Sequence, residues 1–267
     1  MNTIEIFGYV GALFIGILLG LIGGGGSILT VPILVYALSL NPVIATAYSL
    51  FVVGTTSLIG GIQNIMKDKV DLKTAIIFAI PAFTSVYLTR AYLIPAIPDK
   101  LFEVGKFMVT KNLAIMMFFA LIMLLASITM IRSGKHNFNL NKLEKNTNYP
   151  ILVIQGFFIG LVTGMVGAGG GFLIIPTLVI LAKLPMKKAV ATSLFIIAIN
   201  SLIGFLGDVK SYDIDWSFLL IFTSISVVGI FIGIYLNNFI DGEKLKKVFG
   251  WFVLIMGIYI MYRELTL

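Results

Sequence analysis

Apolar runs of about 20 residues alternate with short polar stretches along the whole chain, and the alternation predicts ten helical segments in two sets of five. Segment a spans about 4–22 and ends at Gly23-Gly24-Gly25-Gly26-Ser27. Segment b, about 27–39, is too short to cross a bilayer alone in the usual way. Segment c, about 43–63, is rich in hydroxyls. Segment d runs from about 72 to 94, with Pro81 inside it and Arg90 near its end. Segment e covers about 113–131. Between d and e, the region 95–112 holds Pro95, Pro98, Asp99, Lys100, Glu103, Lys106 and Lys111, and reads as a long loop with room for an interfacial helix.

The most polar stretch, 132–149, contains Arg132, Lys135, His136, Lys142, Glu144 and Lys145. It divides the chain into an N-terminal transmembrane repeat (1–131), a polar cytoplasmic linker (132–149) and a C-terminal transmembrane repeat (150–267). The order then recurs as a′ (about 150–166), b′ (172–182), c′ (187–206), d′ (215–238) and e′ (246–264). A shift of 144 residues, without gaps, lays Gly16 on Gly160, Gly20 on Gly164, Gly23 on Gly167, Gly25 on Gly169, Gly26 on Gly170 and Pro32 on Pro176. It continues through Ser49-Leu50-Phe51 on Ser193-Leu194-Phe195 and Ser57-Leu58-Ile59-Gly60 on Ser201-Leu202-Ile203-Gly204. From Gly16 to Gly61, 19 of the 46 pairs are identical, more than shared hydrophobicity gives.

Loop charge predicts orientation. The basic linker and the b′–c′ loop, with Lys183, Lys187 and Lys188, read as cytoplasmic. The matching b–c loop around Asn41 has no charge. Loop c–d carries Lys67, Lys69 and Lys73, whereas c′–d′ carries Asp208, Asp213 and Asp215 against Lys210. Equivalent loops thus carry opposite bias, as inverted repeats of five segments require, and both termini then lie outside. The alternative joins a and b into one broken helix, which gives four crossings per half and parallel repeats.

Composition narrows the class. The chain is 59% hydrophobic and 12% charged, too apolar for a soluble domain and suited to a multi-pass membrane protein. The net charge of +7 sits largely in loops, where it sets orientation instead of marking a nucleic-acid surface. With no Cys, disulfides and thiolate metal sites are excluded. The N-terminus lacks a basic n-region and reads as a first transmembrane helix, not a signal peptide. No HExxH, CxxC, Ser-His-Asp set or paired intramembrane carboxylates point to an enzyme, and no Gly-Lys-Ser/Thr follows either glycine cluster to make a P-loop. No cofactor or metal is implied.

The glycine clusters carry the candidate chemistry. Gly lets a backbone unwind and approach a ligand closely. Unwound backbone at membrane depth is tolerated where it is buried or lines a cavity. A helix restarting at Ser27 or Gly171 offers free N–H groups and a positive dipole end, an anion site. The candidate substrate-binding residues are Gly23, Gly24, Gly25, Gly26 and Ser27, with Gly167, Gly169, Gly170 and Gly171. The polar faces of c and c′ add Thr46, Ser49, Thr55, Thr56, Ser57, Gln63 and Asn64, then Thr192, Ser193, Asn200 and Ser201, of which Ser49, Thr192, Ser193 and Asn200 join the candidate set. Gly16/Gly20 and Gly160/Gly164 read as helix-packing faces. Arg90 reads as snorkelling to the interface, and Asp208 as a solvated loop acid.

The pattern Gly-x-x-x-Gly-x-x-Gly-Gly-Gly-Gly-Ser-x-x-x-x-Pro-x-Leu from Gly16 to Leu34, its echo from Gly160 to Leu178, and Ala191-Thr192-Ser193-Leu194-Phe195 resemble the sulfite exporter TauE/SafE family of membrane permeases. The first half departs at Tyr48, where the second has Thr192. The resemblance implies transport of a small sulfur-containing anion such as sulfite, a sulfonate or a related organosulfur compound. The expectation is an all-α integral membrane protein with two inverted repeats, working in the cell membrane as a secondary carrier by alternating access. A passive anion channel and a non-transporting membrane partner protein are the alternatives.

Overall fold

The computed structural model describes residues 3–104, 107–132, 149–237, 239 and 242–266. Among these, seven stretches are helices long and apolar enough to cross a membrane by length and composition. The helices are α1 (Thr3–Ile22), α2 (Pro42–Met66), α3 (Leu72–Leu88), α4 (Lys111–Arg132), α5 (Tyr149–Val166), α6 (Gly171–Ile180), α7 (Met186–Asp208), α8 (Trp216–Leu236) and α9 (Gly242–Thr266). The linker 132–149, apart from its end residues, and His136 with it, lies outside the described residues.

Side-chain placement is that of a lipid-solvated bundle. Phe158, Ile221, Phe231 and Ile255 face outward, while Ser57, Thr56, Asn200 and Ser201 are fully buried. Helix ends are set by short polar residues. The Asn41 side chain accepts from Val43 N–H, with Pro42 opening α2; Asp71 accepts from Thr74 N–H and Asp215 from Phe218 N–H.

The 31-residue apolar stretch Phe7–Ala37 does not run straight. It reverses at Gly23, whose φ is +70°, and residues 23–37 return along α1. Ile33 then packs on Gly11, Leu38 on Gly8, and Gly26 on the Leu18–Leu19 backbone. The return arm is 3-10 helical over Gly23–Leu29 and continues through one α-turn into a π-turn over Ile33–Ala37. Helix α3 likewise runs on through a π-turn, Thr89–Leu93, to Ala96.

Among its described residues, the expected loop between d and e contains no interfacial helix. Lys100–Val104 (β1) and Phe107–Thr110 (β2) form an antiparallel hairpin instead. The physical reason is in the sequence: two β-prone runs, Leu101–Val104 and Phe107–Thr110, flank Gly105-Lys106, a short-hairpin pattern.

Packing pairs α1 with α8, α3 with α5, α2 with α7 and α4 with α9. Since lipid is as apolar as Leu, close backbone approach must supply the attraction. Gly16 lies against the Ser226 carbonyl and Gly229, Gly20 against Ile230 and Gly233, Gly160 against Ala82, and Gly164 against Thr89. These four glycines are packing positions, as their spacing predicts. Ser226 Oγ adds a hydrogen bond to the Ala12 carbonyl at 2.9 Å.

Candidate functional site

The two glycine clusters meet. A Cβ placed on Gly24 would lie 2.5 Å from Gly171 Cα, and one on Gly171 would run into the Gly24 Cα and carbonyl. Only glycine at both positions allows this backbone-to-backbone contact. Ile197 of α7 closes over Gly24. Gly169 packs on Val53 and Ile197, and a Cβ there would sit 3.0 Å from Ser201 Oγ.

The clusters differ in conformation. In the second, Gly167, Gly169 and Gly170 all have positive φ near +70°, and α6 begins at Gly171 with Gly170 as its left-handed cap. At the start of α6 the Leu173 and Ile174 N–H groups bond to the Gly170 carbonyl at 2.9 and 3.0 Å, which leaves those of Gly171 and Phe172 without a partner within the helix. In the first, only Gly23 is left-handed. The expected helix restart at Ser27 is therefore corrected: residues 23–29 stay 3-10 helical, and Ser27 Oγ donates to the Gly24 carbonyl at 2.7 Å. That bond ties the hydroxyl to its own backbone.

Two buried polar atoms without a hydrogen-bond partner among the described residues lie at the second cluster: Ser201 Oγ against Gly169 and Thr163 Oγ1 against Gly170. Both amide atoms of Asn200 on α7, and Ser57 Oγ and Thr56 Oγ1 on α2, are also buried and without such a partner. Buried polar groups are ordinarily paired, and each unpaired one costs about 1–3 kcal/mol. A cluster of them inside a membrane bundle marks a polar site.

The other predicted residues divide. Gly25 packs on Ile22 and Met130, and Gly26 on the α1 backbone, so both face away from the contact. Ser193 Oγ donates to the Val190 carbonyl at 2.8 Å. Ser49 Oγ is buried and unpaired. Thr192 Oγ1 accepts the Asp71 N–H at 3.0 Å, and Tyr48 Oη accepts the Asp215 N–H at 2.7 Å. Tyr48 thus supplies a hydroxyl in the place where the other half has Thr. Partial burial pushes the Asp71 carboxyl up, but the Thr74 hydrogen bonds and the Lys188 ammonium, 3.5 Å away, outweigh it and hold it below the usual carboxylate range.

Sequence reasoning missed one pair. Arg90 does not snorkel, and Asp208 is not solvated: both side chains are fully buried, with Arg90 Nη1 3.4 Å from Asp208 Oδ2. Arg90 Nη1 also donates to Thr46 Oγ1 at 3.0 Å, and Thr46 Oγ1 donates to the Val43 carbonyl at 2.7 Å. The π-turn at Thr89–Leu93 belongs to the interior of a helix that runs to Ala96, and this places Arg90 in the bundle instead of at its rim. Asp208 is the last residue of α7, so it too lies on a packed helix. Arg90 Nη2 presses on Gly167: a Cβ there would lie 2.5 Å from it. Above Thr46, Val43 lines a cleft of about 520 Å³ with Asn41, Asp99, Lys100, Lys111 and Tyr212. Burial and the nearby Asp208 charge push the Tyr212 phenol up.

An apolar multi-pass bundle whose interior holds two touching glycine segments and unpaired polar atoms has the build of a membrane permease. The family model for the sulfite exporter TauE/SafE family matches residues 9–260, and the chain belongs to that family. It is 28% identical over 260 residues to a "Probable membrane transporter protein" of Xylella fastidiosa, covering 94% of this chain and 92% of the relative. Over 264 residues it is 26% identical to the "Probable membrane transporter protein YunE" of Bacillus subtilis, covering 91% and 92%. A relative of the same description from Methanocaldococcus jannaschii is 40% identical over 116 residues, 41% of this chain and 43% of its own. No solved structure matches the chain. The protein is thus a multi-pass membrane transporter and not an enzyme.

Proposed function

We propose that the protein is a secondary carrier for a small anion, a sulfur-containing one such as sulfite, a sulfonate or a related organosulfur compound, and that it works by alternating access about the Gly24–Gly171 contact. That contact, with the unpaired hydroxyls of Ser201 and Thr163 on the neighbouring Gly169 and Gly170, is the observation that carries the reading. The α6 N-terminus and the amide and hydroxyl donors of Asn200, Ser201 and Thr163 suit an anion that has shed its water. The family description, a sulfite exporter, supports the sulfur-anion class. Among the candidate residues, Gly24, Gly167, Gly169, Gly170, Gly171 and Asn200 form the core of this reading. Gly23 shapes the reversal, and Thr192 and Ser193 support helix ends and turns.

The reading includes two inverted halves: matched contacts support a two-fold relation between them, and the opposite charge of equivalent loops supports the inversion. Under the shift of 144 residues, Gly60 beside Leu194 and Ile230 becomes Gly204 beside Leu50 and Val86. Gly16 on Ser226 becomes Gly160 on Ala82, and Asp71 on Thr192 becomes Asp215 on Tyr48. Swapping the halves thus carries contacts onto contacts, as a two-fold relation requires. With the basic loops inside, both termini lie outside the cell membrane. A reporter fused after Leu267 is expected to read as extracytoplasmic, and a cytoplasmic signal overturns this orientation.

The substrate class is tested by thermal unfolding of the purified protein with sulfite, thiosulfate, taurine, sulfoacetate and simple carboxylates. At least one sulfur anion is expected to raise the midpoint, and Asn200→Leu to cancel that rise while leaving the ligand-free midpoint equal or higher. The second half follows because replacing an unpaired amide by an apolar group of similar shape removes a desolvation cost. Stabilisation by carboxylates alone counts against the sulfur-anion assignment.

A further inference from the structure

We propose that Arg90 is the charge partner of the transported anion, and that Asp208 holds the anion's place on Arg90 when the site is empty. The proposal rests on the anion-carrier reading above and deepens it. Arg90 is fully buried, yet its Nε and Nη2 have no hydrogen-bond partner among the described residues. A guanidinium presents five donors in a fork suited to a carboxylate or an oxyanion. Asp208 engages it only as an ion pair at 3.4 Å, without hydrogen-bond geometry, and neither carboxylate oxygen has a hydrogen-bond partner among the described residues. A permanent structural pair would use those donors and acceptors on each other. This pair leaves them open.

The open donor is aimed at the glycine break. Arg90 Nη2 abuts Gly167, the first left-handed residue of the segment that leads into the ten-residue helix α6. An anion between Arg90 and the α6 N-terminus would meet a full charge and a helix dipole together. The cleft lined by Lys100, Lys111 and Asp99 reaches Val43, whose carbonyl accepts from Thr46, the residue that Arg90 bonds, so it would serve as the entrance.

The charge occurs at one break only. Under the 144-residue shift, Arg90, Asp208 and Thr46 correspond to Ile234, Asn64 and Val190. Val190 packs on Gly23 where Thr46 packs on Gly167. One anion-holding charge per molecule follows.

Exchange of anion for carboxylate has a proton consequence. With Arg90 paired to the incoming anion, Asp208 is left as an uncompensated buried charge, and it takes a proton from water. The interior then holds a guanidinium, one anion and a neutral carboxylic acid, which preserves its balance for a monovalent anion. The titratable groups facing Asp208 are Arg90 from the α3 extension and Tyr212 from the turn after α7, with Asp99 behind Tyr212. The neighbours that α2, the turn after α5 and α7 bring to Arg90 are Thr46, Gly167 and Gly207, which do not titrate.

Sulfate at matched ionic strength against gluconate is the probe, read as thermal midpoint and as apparent affinity of the full chain in detergent. For the wild type, sulfate affinity is expected to rise as pH falls from 8 to 5.5, by up to about tenfold per pH unit while Asp208 is ionised. Asp208→Asn should bind sulfate more tightly than wild type and without pH dependence. The double variant Arg90→Met/Asp208→Asn should show no sulfate effect beyond ionic strength. A wild-type affinity flat across this range, or a sulfate response retained in the double variant, overturns the proposal. The wild-type pH series decides between these outcomes even where Asp208→Asn fails to fold. Sulfate reports on Arg90 whatever the transported ion is, so absent flux in vesicles would count against the carrier reading alone.

Discussion

Gly171→Ala is expected to abolish transport. The added Cβ would run into the Gly24 Cα and carbonyl, which are backbone atoms and cannot rotate away as a side chain can. The two segments must separate, at a cost of about 1–3 kcal/mol for overpacking, and the contact on which the site is built is lost with them. A matched control is Gly257→Ala, whose Cβ would meet the Leu124 side chain at 3.1 Å and Met123 at 3.4 Å. Flexible side chains absorb that, so flux and stability should stay near wild type. Uptake into vesicles, normalised to inserted protein, separates the two. Gly171→Ala transporting like Gly257→Ala would remove the contact from the mechanism.

Arg90→Met is the substitution expected to cost the most stability, on the order of 3–5 kcal/mol, because it strands the fully buried Asp208 charge. Adding Asp208→Asn should recover most of the loss, since removing both partners leaves no uncompensated charge. Unfolding midpoints of the single and double variants check this. A single variant as stable as the double would mean that Asp208 carries no charge burden in the folded protein.

The segments were legible because lipid imposes a length and a polarity on every crossing. Predicted and observed helix bounds agree within a few residues for α1, α5 and α7, whose ends fall at Gly23, Gly167 and the Pro185 turn. The glycine clusters were legible as special because each recurs under the same shift as Pro32 and Pro176. Their inequality was not. Four consecutive glycines permit a 3-10 turn as readily as an unwound break, and the choice between them rests on packing against α1. Nor does sequence spacing reveal that Gly24, rather than Gly25 or Ser27, is the residue that touches Gly171.

Arg90 and Asp208 were hidden for a different reason. Each lies toward the end of its apolar run, where a long cation ordinarily reaches water and an acid ordinarily is solvated. Their partners are supplied by tertiary packing between α3 and α7, far apart in the chain. The signal available was the repeat itself. The shift lays Asp208 on Asn64, inside segment c's polar face, so an acid in a helix was the consistent reading. The β1–β2 hairpin was similarly readable, because its two β-prone runs flank a Gly-Lys pair, but the prolines and lysines around it have the composition of a loop.

Counterflow in proteoliposomes asks whether the Gly24–Gly171 contact is the pivot of a carrier. Vesicles carrying the purified protein are loaded with one unlabelled compound, from the panel of sulfite, thiosulfate, sulfoacetate and the zwitterionic sulfonate taurine, and diluted into a trace of the same compound, labelled. Wild type and Gly257→Ala are predicted to give transient, saturable accumulation of label for at least one sulfur anion, and Gly171→Ala to give none. Label that merely equilibrates without saturating, or accumulation that survives Gly171→Ala unchanged, contradicts a carrier built on this contact.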